Sequence, residues 1–121
     1  MSEDYLFSVA KNISHLYEIK DNKVYEFLKN HLYILEKLEE IPKHIELYFG
    51  KRKIQLTYSI DPEDGSECLI INIIVNGLTV DESMDILNRF DREYWLTELR
   101  DKNIWENVLI DIKYILKINL S

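Results

Sequence analysis

The run Cys68-Leu69-Ile70-Ile71-Asn72-Ile73-Ile74-Val75 constrains this chain more than any other, because it is apolar on both faces except at Asn72. A strand with one face in water alternates apolar and polar residues, so a run that does not alternate belongs covered on both sides, in the middle of a sheet. The stretch before it has the other character. After Lys53, residues Ile54, Leu56, Tyr58 and Ile60 point one way while Gln55, Thr57 and Ser59 point the other, as in a half-buried strand. Between the two runs lies Asp61-Pro62-Glu63-Asp64-Gly65, in which proline presets a turn and glycine closes it. The two strands are therefore expected to pair as an antiparallel hairpin.

The chain then turns at Asn76-Gly77 and enters a capping box, Thr79-Val80-Asp81-Glu82, in which hydroxyl and carboxylate each satisfy a free N–H of a helix start. The helix is expected to cover the sheet through Val80, Met84, Leu87, Phe90, Tyr94 and Trp95. Val108, Ile110, Ile112 and Tyr114 alternate with Leu109, Asp111 and Lys113 in a third strand, free to lie beside either of the others.

Helical spacing governs the first part. Leu6, Val9, Ile13, Leu16 and Tyr17 predict a helix from Tyr5 to about Glu18, and Val24, Phe27 or Leu28, His31, Leu32, Leu35 and Leu38 predict a second from Lys23 to Glu40. Their short link favours an antiparallel hairpin covering the other sheet face or flanking an edge. Pro42 is expected to end the second helix and open a short third one that stops at Gly50. The expected class is α+β: an N-terminal helical hairpin (about residues 1–50), then a β-β-α-β unit (about 51–121) with a small three-stranded mixed sheet, all in one domain spanning 1–121.

A chain of 121 residues buries about two-thirds of its unfolded surface, enough for a core without metals or disulfides. Cys68, the single cysteine, excludes an internal disulfide and reads as a buried thiol. The acidic start Met1-Ser2-Glu3-Asp4 is unlike a secretory signal, and no apolar run reaches the roughly 18 residues of a membrane helix. A cytoplasmic protein with no membrane partner is expected. The net charge of -7 is uneven: residues 1–53 hold nine basic and nine acidic side chains, whereas 54–121 hold six and thirteen. An acidic half repels phosphate backbones, which argues against general nucleic-acid binding, so no nucleic-acid partner is expected and a basic protein surface is favoured.

Three groups of residues are candidates for chemistry. Asp61, Glu63, Asp64 and Glu67 crowd the hairpin turn as hard cations prefer, but their spacing matches no calcium loop and Pro62 restricts their convergence. Asp91 and Glu93 flank Arg92 beside Tyr94 and Trp95, where the aromatics suit either core anchoring or partner recognition. His15, His31 and His44 are too dispersed for a metal site, and Lys51-Arg52-Lys53 reads as a solvated strand entry. No phosphate loop or nucleophile elbow occurs, so no catalytic residue, metal or cofactor is expected.

Tyr48-Phe49-Gly50, the strand ending in Asp61-Pro62-Glu63, the alternation Leu69-Ile71-Ile73 and the stretch Phe90-Asp91-Arg92-Glu93-Tyr94-Trp95-Leu96 together form a pattern. It resembles a group of small uncharacterised prokaryotic α+β proteins with a D-P-E after one strand and an F-D-x-E-W-W-like stretch after a helix. Tyr94 stands where that group has tryptophan, and the likeness covers roughly residues 45–115. The resemblance implies a prokaryotic setting, loosely tied to loci of the toxin–antitoxin type, and supplies no catalytic residues.

The expected function is a non-enzymatic protein-binding or regulatory module, antitoxin-like, presenting Asp61, Glu63, Asp64, Asp91, Glu93, Tyr94 and Trp95 to a basic partner. Two alternatives stand beside it. One is a metal-dependent hydrolase built on Asp61, Glu63, Asp64 and Glu67, joined by Asp91. The other is a homodimer or larger homo-oligomer formed through the N-terminal helices or a sheet edge.

Overall fold

The computed structural model describes residues 3–98 and 107–114, the side chains of residues 3–7, 9 and 98 excepted. Its elements run α1 (Glu3–Leu16), α2 (Lys23–Asn30), α3 (Leu35–Phe49), β1 (Ile54–Ile60), β2 (Glu67–Val75), α4 (Val80–Phe90) and β3 (Val108–Tyr114). The class is α+β with a three-stranded mixed sheet. No helix among the described residues is long and apolar enough to cross a membrane.

β2 is the central strand. It pairs antiparallel with β1, from Ile54 opposite Ile73 to Ile60 opposite Glu67, and parallel with β3, from Leu69 opposite Val108 to Val75 opposite Tyr114. One sheet face carries Ile54, Leu56, Leu69, Ile71, Ile73, Val75, Val108 and Ile112, all buried in one cluster with side chains from α1, α2, α3 and the end of α4. The N-terminal helices thus share this core instead of covering the opposite face. On that opposite face Gln55, Thr57, Ser59, Cys68, Ile70 and Ile74 are half-buried, while Leu109, Asp111 and Lys113 are exposed. Asn72 is the buried exception, and its amide donates to Thr57 Oγ1 at 3.1 Å. A polar residue is tolerated in the middle strand because that bond is made.

The helical part departs from the pattern in the sequence at two places. The stripe from Val24 to Leu38 is interrupted at His31, whose φ of -136° is non-helical. Its ring stacks on Phe27 at 3.9 Å and Nδ1 donates to the Phe27 carbonyl at 2.8 Å, closing the last turn of α2. A 3₁₀ turn, Leu32–Ile34, then leads into α3. As a result α1 packs on α3 and α2 packs on β1, contacts that differ from those of the expected α1–α2 hairpin.

The second departure is Pro42, which lies inside α3 instead of ending a helix. Without an N–H, proline leaves the carbonyl of Leu38 without its intrahelical donor. The phenol of Tyr17, at the end of α1, donates to that carbonyl at 2.8 Å. The chain can therefore continue helical to Phe49, where Gly50 stops it with φ 75°.

The capping box forms as expected: Thr79 Oγ1 accepts from the Glu82 N–H at 3.1 Å and Glu82 Oε1 from the Thr79 N–H at 3.3 Å. The covering face of α4 is rotated from the expected one. Ser83 and Phe90 are fully buried and Leu87 partly so, while Val80 and Met84 are 59% and 42% exposed. Ser83 is small enough for close approach, and its hydroxyl is satisfied by the Thr79 carbonyl and by Tyr114 Oη at 3.1 Å.

Removing the Tyr17 hydroxyl by Tyr17→Phe should cost about 1–3 kcal/mol, the penalty for an orphaned buried acceptor. In a Pro42→Ala background, where residue 42 supplies its own N–H, the same change should cost well under about 1 kcal/mol in urea unfolding. Burial, with the nearby Tyr94, holds the Tyr17 phenol well above its ordinary value. Stability from this group is full below the unfolded tyrosine value of about 10 and is lost as pH rises above it, so the gap between parent and Tyr17→Phe should narrow in alkaline unfolding.

Candidate functional site

The second half of the chain presents two acidic groups, one on the β1–β2 turn and one at the end of α4. In the turn, the Asp61 N–H donates to the Ser66 carbonyl at 2.8 Å and the Gly65 N–H to the Asp61 carbonyl at 2.9 Å. Asp61 Oδ1 accepts from the Glu63 N–H and Asp64 Oδ1 from the Ser66 N–H, each at 2.8 Å. The Ser66 N–H and the Ser66 hydroxyl hold the Asp64 carboxyl below its usual range. Asp61, Glu63, Asp64 and Glu67 are all exposed, so the turn displays fixed negative charge to solvent. Glu67 leans instead on Tyr58, whose phenol it pushes up to about 12.

At the end of α4 the backbone widens into a π turn, Asp91–Trp95. In a regular helix the residue five positions after Phe90 would point about 140° away from it. The i→i+5 bonding of a π turn brings that residue back, so Tyr94 and Trp95 both enter the core beside Phe90, at 4% and 6% exposure. Tyr94 stacks on His44 of α3 at 3.7 Å, and Phe90 meets Tyr48 edge-on at 5.6 Å. The two aromatics are core anchors in this conformation, and one face of Tyr94 is occupied by His44.

The charges around them stay outside. Glu93 is exposed, with Oε2 3.2 Å from Arg89 Nε and Oε1 accepting from Tyr48 Oη at 3.4 Å. The Arg89 guanidinium lies 5.4 Å from the centre of the Tyr48 ring. Asp91 is half-buried, and desolvation raises its carboxyl above the usual value. No hydrogen bond or ion pair joins the turn to this helix end among the described residues. Nor do three His, Cys, Asp or Glu side chains converge there as a metal site would require. The Cys68 thiol is half-buried and is raised chiefly by burial.

Three participants escaped the sequence reading: His44, Tyr48 and Arg89. Arg89 and Glu93 are four residues apart, a spacing that signals a helical ion pair. Nothing in the sequence signals that α3 would supply the rings. A further groove of 320 Å³ between α2 and the hairpin is lined by Lys23, Glu26, Phe27, Asn30, Tyr58 and Glu67. Lys23 Nζ already lies over the Tyr58 ring at 5.9 Å, placing a cation among these carboxylates.

No family model, curated protein or solved structure matches the chain.

The burial pattern separates the two kinds of residue at the helix end. Trp95→Ala should destabilise the protein by about 3–5 kcal/mol, as expected for an aromatic removed from a core. Glu93→Gln should change stability by less than about 1 kcal/mol, because an exposed ion pair is largely solvated. Chemical denaturation of both variants checks the contrast.

Proposed function

We propose that this protein is a non-enzymatic binding or regulatory module that presents an acidic surface to a basic protein partner, in the manner of an antitoxin. The observation that carries this reading is the turn of Asp61, Glu63 and Asp64, whose carboxylates are exposed while the loop beneath them is internally hydrogen-bonded. A rigid display of like charge loses little conformational freedom on docking and speeds encounter with a surface of opposite sign. Asp81, Glu82 and Asp85 on α4 and Glu93 at its end are exposed as well, so further acids of the second half stand in solvent. The antitoxin-like form of this proposal rests on the sequence resemblance to small uncharacterised prokaryotic proteins loosely tied to toxin–antitoxin-type loci. Tyr94 and Trp95 support such a surface from below by fixing the helix end, and Asp91 and Glu93 are the contacts offered there.

The test is capture of the partner from its native lysate by the tagged full-length chain. A stoichiometric basic protein should co-purify at low salt, and about 0.5 M salt should release it, since the Debye length there is only about 4 Å. The variant Asp61→Asn/Glu63→Gln/Asp64→Asn keeps the side-chain oxygens that hold the loop and removes three charges. It should lose the partner while unfolding at the same urea concentration. Retention unaffected by salt and by these substitutions, or an empty eluate, would overturn the assignment.

A further inference from the structure

The two edges of the sheet are treated differently. At β1 the segment after α1 covers the start of the edge: the Glu18 N–H donates to the Ile54 carbonyl at 2.8 Å, and the Leu56 N–H to the Glu18 carbonyl at 3.0 Å. The Glu18 carboxylate is held there by Lys53 and by Lys20. At β3, no described residue pairs with the outer edge. Its phase is set by the bond from the Leu69 N–H to the Asn107 carbonyl, 2.8 Å, with Leu69 opposite Val108. Residues 107, 109, 111 and 113 therefore turn their backbone polar groups toward β2. Val108, Ile110, Ile112 and Tyr114 turn theirs outward, as a template for another strand.

The side chains of β3 restrict which strand fits. We propose that β3 pairs antiparallel with β3 of a second copy of this chain, with Ile112 on the two-fold axis, joining two sheets into one of six strands. Only residues of the outward set can exchange both backbone bonds with the second copy, and an axis at Ile112 pairs Ile112 with itself and Ile110 with Tyr114. With Ile112 on the axis, Asp111 lies directly opposite Lys113 of the second copy, twice by symmetry. These are non-hydrogen-bonded positions, where side chains approach closest. Moving the axis by one residue to either side keeps the hydrogen-bond phase but sets Asp111 against itself or Lys113 against itself, so charge alone selects the register.

On the core side the same register sets Ile110 opposite Tyr114 and Ile112 opposite itself. Tyr114 is 38% exposed there and is tied to α4 through its bond to Ser83, on the helix that also leaves Val80 and Met84 exposed. The strand is thus complementary to itself on both faces, the property a two-fold interface needs. In the single chain Asp111 Oδ1 accepts from the Ile112 N–H at 2.9 Å. Pairing replaces that contact with the Ile112 carbonyl of the second copy and frees the carboxylate for Lys113 of that copy.

The experiment is sedimentation equilibrium of the full chain with charge-swap variants. The parent should dimerise in the micromolar range. Asp111→Lys and Lys113→Asp should each weaken the dimer about tenfold or more, since each converts two attractive pairs into two repulsive ones. The double swap Asp111→Lys/Lys113→Asp should recover most of that loss. Circular dichroism confirms that each variant is folded. Should a variant unfold, hydrogen exchange on the parent decides: the amides of Ile110, Ile112 and Tyr114 should be protected at high concentration and lose protection on dilution. A parent monomeric at about 100 μM, a dimer indifferent to either single change, or a folded double swap that restores nothing would each overturn the pairing.

Discussion

The bond from the Tyr17 hydroxyl to the Leu38 carbonyl carries more of this architecture than its length of 2.8 Å suggests. Pro42 removes one donor from the interior of α3, and an orphaned carbonyl in a fully buried setting is among the costlier defects a small domain can hold. Supplying the donor from α1 repairs the defect and at the same time fixes where α1 must lie. Tyr17 is also the last residue before Glu18 joins the edge of β1. One side chain thereby links the helix that begins the chain, the helix that supplies His44 and Tyr48, and the first strand of the sheet. The position of α3 then decides what the end of α4 can pack against.

How far this was legible in the sequence depends on the range of the physics involved. The strands were readable because their signal is local: alternation in β1 and β3, and its absence in β2, follow directly from which face each residue shows. The capping box was readable for the same reason, since both of its bonds span three residues. The helical part misleads because its determinants are distant. Pro42 is a helix breaker by local rules, and only a tyrosine 25 positions earlier in the chain makes it a helix interior residue. His31 fits the apolar stripe by spacing, yet its ring nitrogen and its stack on Phe27 serve to end the turn.

The end of α4 illustrates a third case, in which composition was right and periodicity was not enough. Aromatics and charges alternate through Asp91-Arg92-Glu93-Tyr94-Trp95, and regular helical geometry cannot bury both rings beside Phe90. The π turn resolves the conflict by widening one turn. Its cost in backbone regularity is offset by the burial of two large rings, each worth a few kcal/mol. Val80 and Met84 were left in solvent by a related choice, because α4 turns its serine inward at the point of closest approach. A stripe drawn from hydrophobicity alone gives no weight to a residue selected for being small.

These packing decisions also sort the surface into regions with different uses. At the end of α4, Phe90, Tyr94 and Trp95 are spent on the core and the charges of Arg92 and Glu93 stay in solvent, while Val80, Met84 and Leu96 leave apolar surface on the same side. The β1–β2 turn also displays charge, with its carboxylates held by loop amides in place of cations. The outer edge of β3 differs from both. It combines an edge with which no described residue pairs with one acid and one base two residues apart, and so is complementary to its own sequence. A long-range electrostatic surface and a short-range strand template make no competing demands, since the first depends on net charge and the second on register. Both can operate in one chain, with the dimer doubling the acidic surface that a basic partner would meet.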